Sequence, residues 1–156
     1  MIKLIPSESL DESYELIVSA FKSVADEIGA TPDNCPGNSA FMSRSKFAKE
    51  INKMKLYGYY DPDLVGCIGL VKKSEVTYKI KILCVKEDKR HNGIGKALVE
   101  FIETKVSGKL KLGMIYENQT LFKWYQSLGY EVEKIKTYKG NKFRLAYMEK
   151  RIEETV

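Results

Sequence analysis

Two glycines near the middle of the chain, Gly93 and Gly95, stand at the start of a segment whose apolar residues recur with helical spacing. The first turn of a helix carries backbone N–H groups without intrahelical partners and a partial positive charge. Glycines allow an anion to approach such donors closely, since they have no side chain. Because Lys89, Arg90 and Lys96 add full positive charge nearby, the sequence predicts a binding site for a pyrophosphate group.

The spacing around the glycines excludes two common phosphate-binding motifs. A P-loop needs a glycine where Arg90 stands and a serine or threonine in place of Ala97. A dinucleotide-binding fingerprint needs a third glycine where Leu98 stands. What remains is Arg-x-x-Gly-x-Gly over residues 90–95, which resembles the acetyl-coenzyme A signature of the GNAT (N-acetyltransferase) superfamily.

The elements that hold this turn are predicted from hydrophobic periodicity and from turn residues. Ser9, with Glu12 three residues later, predicts a capping box at the start of the first helix, and Gly29 predicts its end. A loop rich in proline, glycine and asparagine follows that helix. In chain order the sequence predicts a strand at 2–5, helices at 10–28 and 45–53, strands at 56–60, 64–72 and 77–85, a helix at 94–106, a strand at 110–116, a helix at 117–128, and a hairpin of strands at 130–138 and 143–151.

This order of elements resembles the GNAT fold over nearly the whole chain. The resemblance implies a single domain spanning residues 1–156, of mixed α/β class. The expected fold has a central mixed, mostly antiparallel sheet of six to seven strands flanked by about four helices. A second motif supports it: Asn118, then Tyr125 seven residues later, then Gly129 and Tyr130, is similar to the pattern that members carry after the fifth strand.

The resemblance also implies roles for individual residues, with acetyl-coenzyme A as the donor. The backbone of Leu83, Cys84 and Val85 would contact the pantetheine arm, and Asn118 would touch the same arm. Tyr125 would lie beside the sulfur and protonate the leaving thiolate, a task that suits a phenol because its pKa of ~10 lies above the ~8.5 of a thiol. The acetyl group would pass directly to an amine. The pyrophosphate would be wrapped through main-chain N–H groups, those of Arg90, His91, Asn92, Gly93, Ile94, Gly95 and Lys96.

Several of these residues also have a plain structural interpretation. Tyr125 stands on the apolar face of its helix and could be a core residue, and Asn118 could serve only as an N-cap. His91, in a polar turn, is expected to be solvated or near phosphate rather than catalytic. A nucleophilic role for Cys84 is rejected because an apolar strand supplies neither a base nor an activating charge. Trp124 is expected to pack.

The sequence leaves the general base unidentified. An alkylammonium with a pKa of ~10.4 is rarely neutral at pH 7, a deficit of roughly 4–5 kcal/mol. Many GNAT members place a glutamate four residues before the position of Val85, where this chain has Lys81. Water held by carbonyls, Glu117, Glu75 or another acid could take the proton; alternatively, Lys81 indicates an acceptor with a carboxylate or phosphate. The acceptor side is expected to be built from Asn38, Ser39 and Phe41 of the 31–41 loop, with Tyr57, Tyr59 and Lys81.

Composition sets the remaining bounds. A chain of 156 residues suits one domain that buries roughly 70% of its unfolded surface. A cytoplasmic protein is expected, because no segment approaches the ~20 apolar residues of a membrane helix and the N-terminus lacks the features of a signal peptide. The three cysteines have no metal-ligand spacing, and burial is expected for Cys67 and Cys84. The net charge of +5 fits either a solvated surface or attraction of a phosphate-bearing cofactor or acidic substrate, rather than nucleic acid.

The sequence therefore predicts an N-acetyltransferase that transfers the acetyl group of acetyl-coenzyme A to a primary amine of a small molecule or a protein. A small molecule is favoured because the 31–41 loop is short for gripping an extended peptide. No metal, nucleic acid or membrane is expected as a partner, and a homodimer is compatible with the fold. Two alternatives remain: a non-catalytic acyl-coenzyme A-binding module, suggested by Lys81, and a transferase of a larger acyl group.

Overall fold

The computed structural model of the chain describes residues 1–153 and contains one seven-stranded sheet. The strand order is β1-β2-β3-β4-β5-β7-β6, with β4 and β5 parallel and every other neighbouring pair antiparallel. This confirms the mixed, mostly antiparallel sheet. The strands are β1 Ile2–Leu4, β2 Lys55–Tyr60, β3 Leu64–Lys72, β4 Thr77–Val85, β5 Gly108–Ile115, β6 Glu131–Lys136 and β7 Leu145–Ile152.

Four helices flank the sheet, as predicted: α1 Leu10–Ile28, α2 Arg44–Ile51, α3 Ile94–Glu103 and α4 Gln119–Ser127. Helix α3 ends before the predicted residue 106 because the Thr104 hydroxyl donates to the carbonyl of Phe101 (2.6 Å) and closes the last turn. The predicted capping box at α1 is wrong. The Ser9 side chain makes no capping hydrogen bond, because a 3₁₀ turn over Ser7–Ser9 runs directly into the helix.

The helices divide the core into two layers. Helices α3 and α4 cover one face of the sheet, here called the α3 face, and α1 and α2 cover the other, the α1 face. Side chains of a strand alternate between these faces, so Leu56 of β2 packs on the α1 face while its neighbour Tyr57 packs on the α3 face. Burial of Leu98 and Ile102 of α3, both fully inaccessible, stabilises the α3 layer by roughly 1.5–3 kcal/mol for each side chain.

The two parallel strands separate part-way along their length. β4 pairs with β5 only where Thr77–Lys79 faces Lys109–Lys111, and the rest of β4 diverges. A bulge shifts the register of β4 against β3, and Ile82 adopts a φ of +57° there. The result is a gap between the second halves of β4 and β5, here called the splay, which opens toward the N-terminus of α3.

A glycine is required where β5 begins. Gly108 has a φ of +124°, and a Cβ at this position would lie 2.2 Å from the carbonyl oxygen of Val76. That close approach is what allows the short parallel ladder to form, since the Lys109 N–H donates to the same carbonyl at 2.7 Å.

The α1 face is covered unevenly. Helix α1 packs mainly on β3 and β4, and its Ala25 also shares a small cluster with Phe143 and with Ile115 at the end of β5. Strand β6 is exposed along its whole length. Within residues 1–153, no helix has both the length and the apolar character needed to cross a bilayer.

Candidate active site

The turn before α3 presents a row of free backbone donors. Gly93, the N-cap of α3, has a left-handed φ of +78°, and His91 has a φ of +65°. Within the described residues, the backbone N–H groups of positions 91–96 donate to no protein oxygen. The turn is held in this shape by the Asn92 side chain, whose amide donates to the carbonyls of Lys89 (3.1 Å) and Arg90 (3.2 Å). The local geometry is that of an anion-binding concavity at a helix N-terminus.

The Arg90 side chain anchors this turn to the rest of the molecule. Its Nε donates to the carbonyl of Val85 at the end of β4 (3.0 Å), and its Nη2 donates to the carbonyl of Ala20 in α1 (3.0 Å). The sequence assigned the main-chain N–H of Arg90 to the pyrophosphate, and in the structure this N–H donates to the carbonyl of Glu87 at 3.5 Å. The structure shows these guanidinium donors already in use, so the side chain holds the turn in place while its charge adds to the local potential.

Trp124 of α4 lies close to the first turn of α3 at Gly95. A Cβ on Gly95 would lie 3.4 Å from the Trp124 ring and 3.8 Å from Cγ2 of Val85, which is ordinary van der Waals contact. Trp124 therefore packs against α3, the role expected from sequence. Lys96 is exposed on the outer side of the same turn, with Glu100 at 3.8 Å.

Two buried cysteines lie opposite each other on β3 and β4. Cys84 pairs with Cys67 across the strands, and both side chains are buried on the α1 face, as expected. A hydrogen bond with Cys84, together with burial, raises the pKa of the Cys67 thiol well above its ordinary value. The Leu83 and Val85 side chains pack toward the α3 face. Beyond Lys79 the β5-facing edge of β4 makes no ladder with β5.

Tyr125 lies in the α3 layer, in the same apolar cluster as Leu83 and Val85 of β4, and is 5% exposed. Its ring packs edge-on against Trp124 (5.0 Å between centroids) and Tyr130 (5.8 Å). Burial raises its pKa well above the ordinary value, so the hydroxyl keeps its proton. Among the described residues the hydroxyl has no hydrogen-bond partner, whereas that of Tyr130 donates to Glu103 at 2.9 Å. Tyr125 is thus packed as a core residue and still holds an uncommitted proton donor.

Asn118 caps α4. Its Oδ1 accepts from the backbone N–H of Leu121 at 3.2 Å, so the N-cap interpretation is confirmed. Its own backbone N–H donates to the carbonyl of Ile115 at the end of β5 (3.1 Å). The cap therefore fixes the start of α4 at the mouth of the splay.

The predicted acceptor residues fall into two separate groups. Asn38 caps a 3₁₀ turn over Ser39–Phe41 by accepting from the Ala40 N–H (2.9 Å), and Phe41 packs near Phe143 on the α1 side. Tyr57 lies on the opposite side of the sheet, where its ring meets that of Phe101 at 5.1 Å.

Tyr59 shares that side, packed against the α3 layer. Contrary to the sequence expectation, Tyr57 and Tyr59 do not share a surface with the loop, because their strand positions point away from it. Lys81 does lie on the α1 face, since its neighbour Ile80 packs on the other side.

The acids named as candidate bases are committed elsewhere. Burial acts to raise the pKa of Glu117, but hydrogen bonds from the side chain (2.8 Å) and backbone (2.7 Å) of Arg144 outweigh it and hold the pKa below its ordinary value. Glu75 lies on the exposed turn after β3 and pairs with Lys72 at 3.4 Å. Glu117 is therefore a weak base. Glu75 lies before the start of β4, away from the bulge at Ile82.

The structure adds residues that the sequence did not single out. Tyr147 of β7 lies on the α1 face beside the splay, with Lys79 of β4 near its ring (5.9 Å). Tyr138, after β6, shares a hydrogen bond with Tyr147 at 2.5 Å between the hydroxyl oxygens. The alternation of Tyr147 with the buried Ala146 and Met148 places it on this face, but its proximity to β4 follows only from the strand order.

Most of the chain matches a known protein family. Residues 29–152 match the family described as Acetyltransferase (GNAT) domain. No curated protein sequence matches the chain significantly. Among the described residues, no cluster of three or more histidine, cysteine or acidic side chains could hold a metal ion.

Solved acetyltransferase structures share the fold. The ribosomal-protein-S18-alanine N-acetyltransferase from Escherichia coli is 16% identical with a TM-score of 0.77, covering 100% of this chain and 96% of that one. The PaiA N-acetyltransferase from Thermoplasma acidophilum, solved in complex with coenzyme A, is 21% identical with a TM-score of 0.76, covering 97% and 98%. The aminoglycoside 6'-N-acetyltransferase from Enterococcus faecium is 16% identical with a TM-score of 0.69, covering 100% and 99%. At these identities the likeness establishes the fold.

Proposed function

Because the chain belongs to the GNAT acetyltransferase family, we propose that it transfers the acetyl group of acetyl-coenzyme A directly to a primary amine. The observation that carries the proposal is the splay, which leaves one edge of β4 unpaired and ends at the turn whose backbone N–H groups are free. The neutral hydroxyl of Tyr125 supports it, because Tyr125 belongs to the same apolar cluster as Leu83 and Val85 of β4.

The donor side fits the pyrophosphate and pantetheine groups of coenzyme A. The N–H groups of residues 91–96 would bind the pyrophosphate, with charge from Lys89 and Lys96. Gly93 leaves the approach open, since a Cβ there would have no heavy atom within 4 Å. The unpaired edge of Leu83–Val85 offers backbone groups to the amides of the pantetheine arm, in the manner of an added strand.

The chemistry needs a proton for the leaving sulfur. Acetyl-coenzyme A, when bound, supplies an acetyl thioester. The amine nitrogen bonds to the acetyl carbon, and the carbon–sulfur bond breaks. The leaving thiolate accepts the proton of Tyr125. The nitrogen loses a proton to solvent, and solvent returns a proton to Tyr125. Burial raises the pKa of the Tyr125 phenol, so the phenol holds the proton that the leaving thiolate needs.

The acceptor class is the finer part of the proposal. One structural neighbour is named for acetylation of an aminoglycoside and another for acetylation of an alanine of a ribosomal protein. We favour a small amine for this chain, because the 31–41 loop folds onto its own core cluster through Cys35 and Ala40. The lysine at position 81 favours a second candidate, a non-catalytic binding module for acyl-coenzyme A.

The test is calorimetric titration of acetyl-coenzyme A into the wild type and two matched variants, Gly93→Glu and Gly140→Glu. Both glycines have a left-handed φ, +78° and +83°, and neither would place a Cβ within 4 Å of a heavy atom. Backbone strain and charge change are therefore equal, and only the position differs. We expect micromolar binding by the wild type, about −8 kcal/mol, retained in Gly140→Glu and lost in Gly93→Glu. A folded wild type that does not bind acetyl-coenzyme A would overturn the proposed function.

A further inference from the structure

The α1 face beside the splay carries a basic and aromatic surface built from two sheet regions. Lys79 and Lys81 project from β4 on this face, on either side of the inward-facing Ile80. Tyr147 of β7 lies against β5, where a Cβ on Gly113 would come within 3.3 Å of its ring. The absence of a side chain at Gly113 thus lets the ring lie close to the sheet and form one wall of the surface.

The lysines of this face differ in their counter-ions. Lys109 and Lys111 each lie 3.7 Å from Glu149, and Lys111 also lies 3.2 Å from Glu133. Neither Lys79 nor Lys81 has a carboxylate oxygen within 4 Å among the described residues. Two neighbouring ammonium groups are therefore left without a counter-ion on a face where other lysines are paired.

The ammonium group of Lys79 is also partly removed from solvent. Its side chain is half-buried, and burial, followed by the charges of Lys81 and Lys73, lowers the pKa of its ammonium group. A desolvated cation without a partner destabilises the folded chain. An anion bound between the two ammonium groups would remove this cost and form charge-assisted hydrogen bonds with both.

We propose that the acceptor amine carries an acidic group, a carboxylate or a phosphate, which binds to Lys79 and Lys81 with the ring of Tyr147 as a wall. This inference rests on the proposed function and names its substrate class. It also accounts for Lys81, because a glutamate at that position would repel such an acceptor. Two ammonium groups facing one carboxylate leave net positive charge near the acceptor nitrogen, which disfavours its ammonium form and lowers the demand on the base.

The experiment compares amines that differ only in the acidic group, titrated into protein saturated with coenzyme A. β-Alanine is paired with β-alaninamide, and O-phosphoethanolamine with ethanolamine, so that the two pairs separate carboxylate from phosphate recognition. We expect at least one acidic probe to bind about tenfold or more tightly than its neutral counterpart. Initial acetylation rates should show the same preference as a lower KM.

Variants then locate the preference on the surface. Lys81→Gln and Lys79→Gln should abolish it, whereas Lys81→Arg should retain it and Lys105→Gln, an equal charge change on an exposed position beyond α3, should leave it unchanged. Thermal unfolding of each variant establishes that it is folded.

The outcomes separate this inference from the proposed function. Protein that binds coenzyme A but binds acidic and neutral probes equally, or binds neither, overturns the inference alone. Failure to bind coenzyme A overturns the proposed function. A preference that survives both glutamine variants places the anion elsewhere and also overturns the inference.

Discussion

Replacement of Tyr125 by phenylalanine should separate catalysis from folding. The hydroxyl that is removed has no partner among the described residues, and the ring contacts with Trp124 and Tyr130 remain. We therefore expect the free energy of unfolding to change by less than about 1 kcal/mol. If this hydroxyl protonates the leaving thiolate, kcat should fall by about 10²–10⁴-fold, or roughly 2.7–5.5 kcal/mol of transition-state stabilisation.

Tyr130→Phe is the matched control, because it makes the same chemical change on the neighbouring ring. The Tyr130 hydroxyl donates to Glu103 at 2.9 Å, and the same carboxylate binds Lys150 at 3.1 Å. Its removal leaves a half-buried carboxylate short of one donor, so the expected loss is about 1–3 kcal/mol of stability. Thermal unfolding, acetyl-coenzyme A affinity by calorimetry, and release of free thiol at saturating amine measure the three quantities.

The reasoning would be refuted by a Tyr125→Phe protein that keeps its kcat within about threefold of the wild type. Loss of acetyl-coenzyme A affinity in that variant would point instead to a binding role for the ring. If the wild type binds acetyl-coenzyme A yet releases no thiol with any amine, the binding-module alternative is favoured, and the variant should then change nothing.

Two further predictions concern stability. Gly108→Ala should lower the free energy of unfolding by well over ~2 kcal/mol, because its Cβ would lie 2.2 Å from the Val76 carbonyl oxygen. Gly140→Ala, which has a positive φ but open space around it, should lower it by about 1–2 kcal/mol in urea unfolding. Equal losses would contradict the steric argument. The folded-state pKa of Glu117 lies below its ordinary value of 4.5, so its contribution to stability is present above that pH and is lost as the pH falls through the folded-state pKa. Glu117→Gln should therefore flatten the fall of the melting temperature below about pH 4.5, and an unchanged pH profile would show that the pairing with Arg144 contributes nothing.

The sequence predicted the elements because their signals are local. The apolar spacing of α1 ends at Gly29, and the structure shows that glycine with a left-handed φ of +75° at the helix C-terminus. Asp61, Pro62 and Asp63 likewise separate β2 from β3, between the strands predicted at 56–60 and 64–72. In both cases the conformational preference of one or two residues decides the boundary, so no distant contact is needed.

The orientation of side chains could not be predicted in the same way. The bulge at Ile82 reverses the alternation of β4, so the odd-numbered Lys79 and Lys81 and the even-numbered Cys84 all lie on the α1 face. No local sequence signal marks that reversal. Arg90 is a second case, because its hydrogen bond to Ala20 joins residues 70 positions apart and turns the guanidinium inward.

The splay has a consequence for how the molecule holds together. Strands β1–β4 and strands β5, β7 and β6 form two blocks, and the ladder that joins them extends only over Thr77–Lys79 and Lys109–Lys111. Backbone hydrogen bonding between the two blocks is thus confined to one end of the β4–β5 pair, and the strands are unpaired at the other end. If acetyl-coenzyme A binds as proposed, its pantetheine arm would bridge the open end of the sheet and couple the two blocks. Saturation at 100 times the dissociation constant would add about 2.7 kcal/mol of stability.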